Sequence, residues 1–164
     1  MFKINDYIMY GMTGVCKVSD IREEVIGDFK LKEYYVLTPI YTNNTIIKVP
    51  IDNNKVPMRK IMSKEDISNV IKVMSNKDSL WVMDERKRGE VFKSLLKSGE
   101  CEELMTLVKS IYECKNNKNK TGTKVSKNDI EIMQMAEKLI NEEFATILNI
   151  SVDEVPSYIL NNIQ

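Results

Sequence analysis

The sequence predicts an α+β chain, with a small β half-barrel followed by a compact all-α module. Three observations predict it. Up to about Pro50 the apolar residues alternate or form short β-branched runs, whereas beyond that loop they recur at three and four positions, the helical period. No strand–helix–strand alternation of the kind a parallel sheet needs is present. The polar stretch from Asp52 to Met62 separates the two patterns, placing a β domain over residues 1–60 and a helical domain over residues 61–164.

The β elements follow from apolar runs and turn residues. Tyr7 to Tyr10 is a short strand that ends at Gly11-Met12-Thr13-Gly14, where two glycines permit a sharp turn. Val15 to Val25 reads as a long strand, with Gly27-Asp28 as the next turn signal and Leu31 to Tyr41 as its return. Pro39 limits that return strand, because proline cannot donate to a ladder. Thr42-Asn43-Asn44 turns the chain into a fourth strand, Thr45 to Pro50. Four short strands in about fifty residues suggest a meander curled into a half-barrel.

The helical elements follow from caps. Ser63 with Asp66 forms an N-cap with an acid at the third position, and Ile67, Val70, Ile71 and Met74 follow at helical spacing. The stretch from Leu80 to Glu100 supplies a second helix, with Val91, Phe92, Leu95 and Leu96 as its apolar stripe and Gly99 as its C-terminal stop. Leu104, Leu107, Val108, Ile111 and Tyr112 mark a core-facing third helix. The polar, basic run from Lys115 to Lys124 reads as an exposed loop. Ser126 with Asp129 restarts a long helix, and Ser151 with Glu154 caps a last short one.

Composition bounds the function. Of 164 residues, 24 are basic and 24 acidic, so long-range attraction of the whole molecule to DNA is weak. The distribution is uneven: between Glu85 and Lys127 eleven Lys/Arg face six Glu, and from Asn128 onward one Lys faces seven acids. Histidine is absent, which removes the commonest neutral-pH base and transition-metal ligand. Cys16, Cys101 and Cys114 are an odd number without paired spacing, and with no signal peptide or membrane span the expectation is a reduced, cytoplasmic setting.

No phosphate-binding glycine loop, nucleophile elbow or zinc spacing occurs, so no catalytic residue, cofactor, metal or small-molecule substrate is expected. The adjacent carboxylates Glu23-Glu24 and Glu102-Glu103 point in different directions and read as solvated surface. The basic run Arg86-Lys87-Arg88, with Lys93, Lys97 and the lysines at 115, 118, 120, 124 and 127, has two readings: the wet face of a helix, or a set of phosphate contacts. Trp81 likewise either packs against the next turn or stacks on an opened base step.

Several segments together carry a family resemblance. They are Phe2 to Tyr10 followed by Gly14-Val15, then Lys32 to Leu37, Ile46 to Pro50 and Val56 to Ile61, and in the helical half Trp81, Arg86, Arg88, Phe92 to Glu100, Leu104 to Tyr112 and Ala136 to Asn149. In this order and spacing the chain resembles the CarD/CdnL family of bacterial transcription regulators, whose first module is also similar to the polymerase-interacting domain of transcription-repair coupling factor. The resemblance implies a Tudor/SH3-like N-terminal module that docks on the RNA polymerase β subunit, partly by strand addition, with Ile46, Ile47 and Lys48 at the contact. It implies a helical module on promoter DNA at the upstream edge of the bubble, Trp81 acting as a wedge at the fork junction and Arg86, Lys87 and Arg88 on phosphates. Such a protein is nucleoid-associated through the polymerase and does no chemistry. Where some members carry a polymerase-contacting arginine, this chain has Glu24 or Val25. A second reading is a polymerase-binding adaptor without functional DNA binding, in keeping with zero net charge and the acidic C-terminal stretch.

Overall fold

The computed structural model describes residues 1–27, 30–117 and 124–163. The expected turn residue Asp28 and the loop lysines Lys118 and Lys120 lie outside the described residues. An antiparallel sheet is followed by helices, the α+β layout expected. The chain divides into two compact units, Met1–Ile61 and Met62–Gln164.

The first unit holds strands β1 (Tyr7–Tyr10), β2 (Gly14–Ile26), β3 (Lys30–Pro39), β4 (Ile47–Pro50) and β5 (Met58–Lys60), in the order β4-β3-β2-β1-β5. Alternation buries one face: Ile8, Cys16, Val18, Tyr35, Leu37 and Val49 form the core, with Phe2, Ile21, Ile47 and Met58 packed on it. A register shift between Val18 and Asp20 resets the alternation so that Ile21 again faces inward beside Tyr35. The fifth strand is one more than the sequence pattern indicated. Three residues are too few for a periodic signal, and the strand is fixed from a distance: the Gly11 N–H donates to the Pro57 carbonyl, and β5 then pairs with β1. Gly11 has φ of 45°, and a Cβ there would lie 2.6 Å from Val56 Cγ1, so only glycine fits.

The second unit holds α1 (Lys64–Asn76), α2 (Glu85–Ser98), α3 (Cys101–Asn116), α4 (Lys127–Leu148) and α5 (Val155–Asn162), the last preceded by a 3-10 turn, Val152–Glu154. Ser63 with Asp66 and Ser126 with Asp129 form full capping boxes, each cap contributing about 0.5–2 kcal/mol. Asp84 caps α2 by accepting from the Lys87 N–H, and Gly99 ends that helix in the left-handed conformation. Phe92, Leu104, Leu107, Ile111, Ala136 and Phe144 are fully buried between the helices. Lys109 closes the end of α1, its ammonium donating to the carbonyls of Met74 and Lys77 at 3.0 and 2.5 Å.

Candidate functional site

Two surfaces contain the residues singled out from the sequence, one in each unit. In the first unit, β4 is an edge: it pairs with β3 on one side and with no described strand on the other. The Ile51 N–H donates to the Glu33 carbonyl, which sets the ladder's phase. In an antiparallel pair the bonded positions alternate, so Val49 and Ile47 bond to β3 while the Lys48 N–H and C=O point to the free side. Ile47 turns its side chain to the core, whereas Ile46 is 69% exposed. Lys48 lies on the outer face, where its ammonium meets the Glu24 carboxylate at 2.5 Å. Glu24 therefore neutralises the basic residue of the edge.

In the second unit, Arg86 and Lys87 stand in the first turn of α2 and are exposed; Arg86 reaches Glu90, at 3.5 Å. Arg86, Lys93 and Asn128 border a shallow groove at the starts of α2 and α4 together with the acids Glu85 and Glu90, and Lys87 is not part of its lining. Arg88 differs. It is wholly buried, and its guanidinium donates to both carboxylate oxygens of Asp129, with the closest contact 2.8 Å, and to the carbonyls of Val82 and Met83. The same guanidinium lies 4.4 Å from the centre of the Trp81 ring, whose other neighbour is Phe92 at 6.1 Å, edge to face.

The phosphate contact expected of Arg88 is thereby corrected: its donors are spent on Asp129 and on the backbone before α2. The physical reason is position, since Arg88, Phe92 and Leu96 recur at i, i+4 and i+8 on the face of α2 that meets α4. Burial raises the Asp129 carboxyl, but hydrogen bonds from Arg88 and from the backbone and hydroxyl of Ser126 outweigh it and hold its pKa below the ordinary carboxylate value. Trp81 is half-buried, its Nε1 enclosed without a hydrogen-bond partner. Its segment is pinned at a second point by the Leu80 N–H donating to Ser110 Oγ at 2.7 Å. Asp129 was missed as a partner because it was already accounted for as a cap acid, although it stands on the buried stripe of α4 with Met133 and Ala136.

Among the described residues no group of His, Cys, Asp and Glu is placed to hold a metal ion, and no helix is long and apolar enough to cross a membrane.

Residues 2–62 match the family model of the CarD-like/TRCF RID domain, an RNA polymerase-interacting domain of transcription-related proteins that is protein-binding rather than catalytic. The match covers the first unit. No curated protein matches the chain.

Proposed function

We propose that this chain is a CarD-type transcription regulator: its first unit grips the RNA polymerase β subunit and its second contacts promoter DNA at the upstream edge of the bubble, modulating the lifetime of the open complex. The observation that carries the reading is the free edge of β4 in a unit matching a polymerase-interacting domain. An unpaired edge offers backbone donors and acceptors for a partner strand, while Ile46 and Lys48 supply selectivity. Docking requires Lys48 to exchange Glu24 for a carboxylate of the partner, or to keep it as a bridge.

In the second unit Arg86 and Lys87 take phosphates, which position the module without reading sequence. Trp81 meets the opened base step as an aromatic wedge, with Arg88 bracing the indole from behind rather than touching DNA. The protein then acts by binding the open promoter better than the closed one, a shift of populations without chemistry. The tethering to polymerase replaces the affinity that a chain of zero net charge lacks.

The test is the lifetime of competitor-challenged open complexes on a bacterial promoter with saturating full-length protein. A changed lifetime that returns to the polymerase-only value with Lys48→Pro supports the reading, and an unchanged lifetime with the wild-type chain rejects it.

The internal pairing of Arg88 favours a second reading, an adaptor that binds polymerase but not DNA. A salt series on a forked promoter fragment separates the two: phosphate contacts give log K a slope of about −0.9 per phosphate neutralised, and an adaptor gives none.

A further inference from the structure

The two faces of the β2–β3 ribbon treat their charges differently. Pairing of the chain before β1 with β2 stops at Val18, and pairing with β3 from the other side reaches Glu33. Residues 20–23 pair with 33–36, which β4 and Ile51 cover on their other side, and beyond Glu33 residues 24–25 and 31–32 pair only with each other among the described residues. A bare two-stranded ribbon is marginally stable in water.

On the outer face, Arg22 pairs with Asp20 at 2.6 Å, Lys48 with Glu24 at 2.5 Å and Lys32 with Asp52 at 3.8 Å. On the inner face Glu23 stands directly across from Glu33, and among the described residues neither has a cation within ion-pair reach. Like charges directly opposite destabilise a sheet. The next cross-strand pair on that face is Val25 with Leu31, 58% and 65% exposed. In the other direction comes Ile21 with Tyr35, and then a cleft of about 530 Å³ lined by Phe2, Tyr35, Ile51 and Met58 together with Asn53 and Lys55. An apolar pair, two facing carboxylates and a cleft of mixed polarity thus follow one another along one sheet face. The cleft lining belongs to the core of the unit, but the exposed apolar pair and the facing carboxylates are not explained by the stability of the free unit.

The geometry points to this face as the docking site for an extended segment of another protein that carries a lysine or arginine flanked by apolar side chains. The cation sits between Glu23 and Glu33, one apolar neighbour covers Val25 and Leu31, and the other enters the mouth of the cleft. Charge complementarity selects the partner: the two carboxylates face each other with apolar pairs on either side and no cation of their own among the described residues. The period matches, because a strand presents every second side chain to one face, as the ribbon does. The site lies on the opposite face from Lys48 and Glu24, so it is separate from the edge assigned above to polymerase and does not depend on that assignment.

The probe is a fluorescein-labelled, amidated heptapeptide with arginine at its centre and leucine two residues to either side, titrated into the full-length chain and read by anisotropy. Saturable binding is expected, weakened about tenfold or more by Glu23→Gln with Glu33→Gln, weakened similarly when serine replaces both leucines, and unchanged by Lys48→Ala. Equal affinity for the double variant, equal affinity for the leucine-free peptide, or no saturable binding to the wild type overturns the proposal. Thermal unfolding provides a check without ligand: the double variant is at least as stable as the wild type, and a clear loss of stability overturns the proposal by making the carboxylates structural.

Discussion

Arg88 and Asp129, 41 positions apart in the chain, form a bidentate ion pair from which water is excluded, both side chains being 1% exposed. The pair joins the first turn of α2 to the first turn of α4 and closes over Trp81. A buried charge pair of this kind is costly to break from one side, because the survivor stays desolvated and uncompensated.

Arg88→Ala or Asp129→Asn is therefore expected to destabilise the second unit by about 3–5 kcal/mol, measured by denaturant unfolding. Arg88→Lys does not rescue, since an ammonium cannot hold both oxygens, two carbonyls and the indole face together. The acid limb has a definite sign. Asp129 has its folded pKa below the ordinary value of 3.8, so its contribution is complete above that value and is lost as pH falls through the lower, folded one.

Glu142 behaves in the opposite way. Burial holds its carboxyl above the ordinary value of 4.5, the Lys138 ammonium at 3.8 Å opposing this only in part, and Oε2 has no hydrogen-bond partner. The native state then keeps the proton that the unfolded chain gives up above pH 4.5, so stability falls as pH rises through that window. Glu142→Gln should stabilise the protein by about 1 kcal/mol at pH 7 and leave it unchanged below pH 4, as read from melting temperatures at the two pH values.

Lys48 offers a test that separates backbone from side chain. Lys48→Pro removes an N–H that points to the free side of β4 and leaves the bonds to β3 intact, so it should abolish capture of the polymerase β subunit while the unit remains folded by circular dichroism. Glu24→Gln frees the ammonium, and a severalfold gain in capture is expected if the partner presents a carboxylate.

Arg86→Ala with Lys87→Ala should reduce the magnitude of the salt slope for forked DNA by about 2, with no change in unfolding free energy beyond about 0.5 kcal/mol, because both side chains are exposed.

Much of this architecture was legible because it is written locally. Ser63, Ser126 and Ser151 each start a helical segment with an acid three residues on, and Gly99 ends one; all four do what their spacing indicates. What was not legible depends on partners far away in the chain. Strand β5 exists because Gly11 lets Pro57 approach, and β3 stops at Pro39 rather than Tyr41. Arg88 looked like its neighbours Arg86 and Lys87 because a run of three charges hides which one lies on the apolar stripe. The distinguishing signal was its spacing to Phe92 and Leu96, matched by Asp129 with Met133 and Ala136. Residues 46–48 are singled out by resemblance alone, and the structure adds which of them shows its backbone, its side chain or neither to the free side.

The three cysteines are all enclosed, Cys16 in the sheet and Cys101 and Cys114 in the helices. A thiol can be alkylated only after its surroundings open, so each one acts as a timer for the unit that encloses it. Labelling kinetics at Cys16 against those at Cys101 and Cys114 would show, without any added probe, whether the two halves of the chain breathe separately or as one.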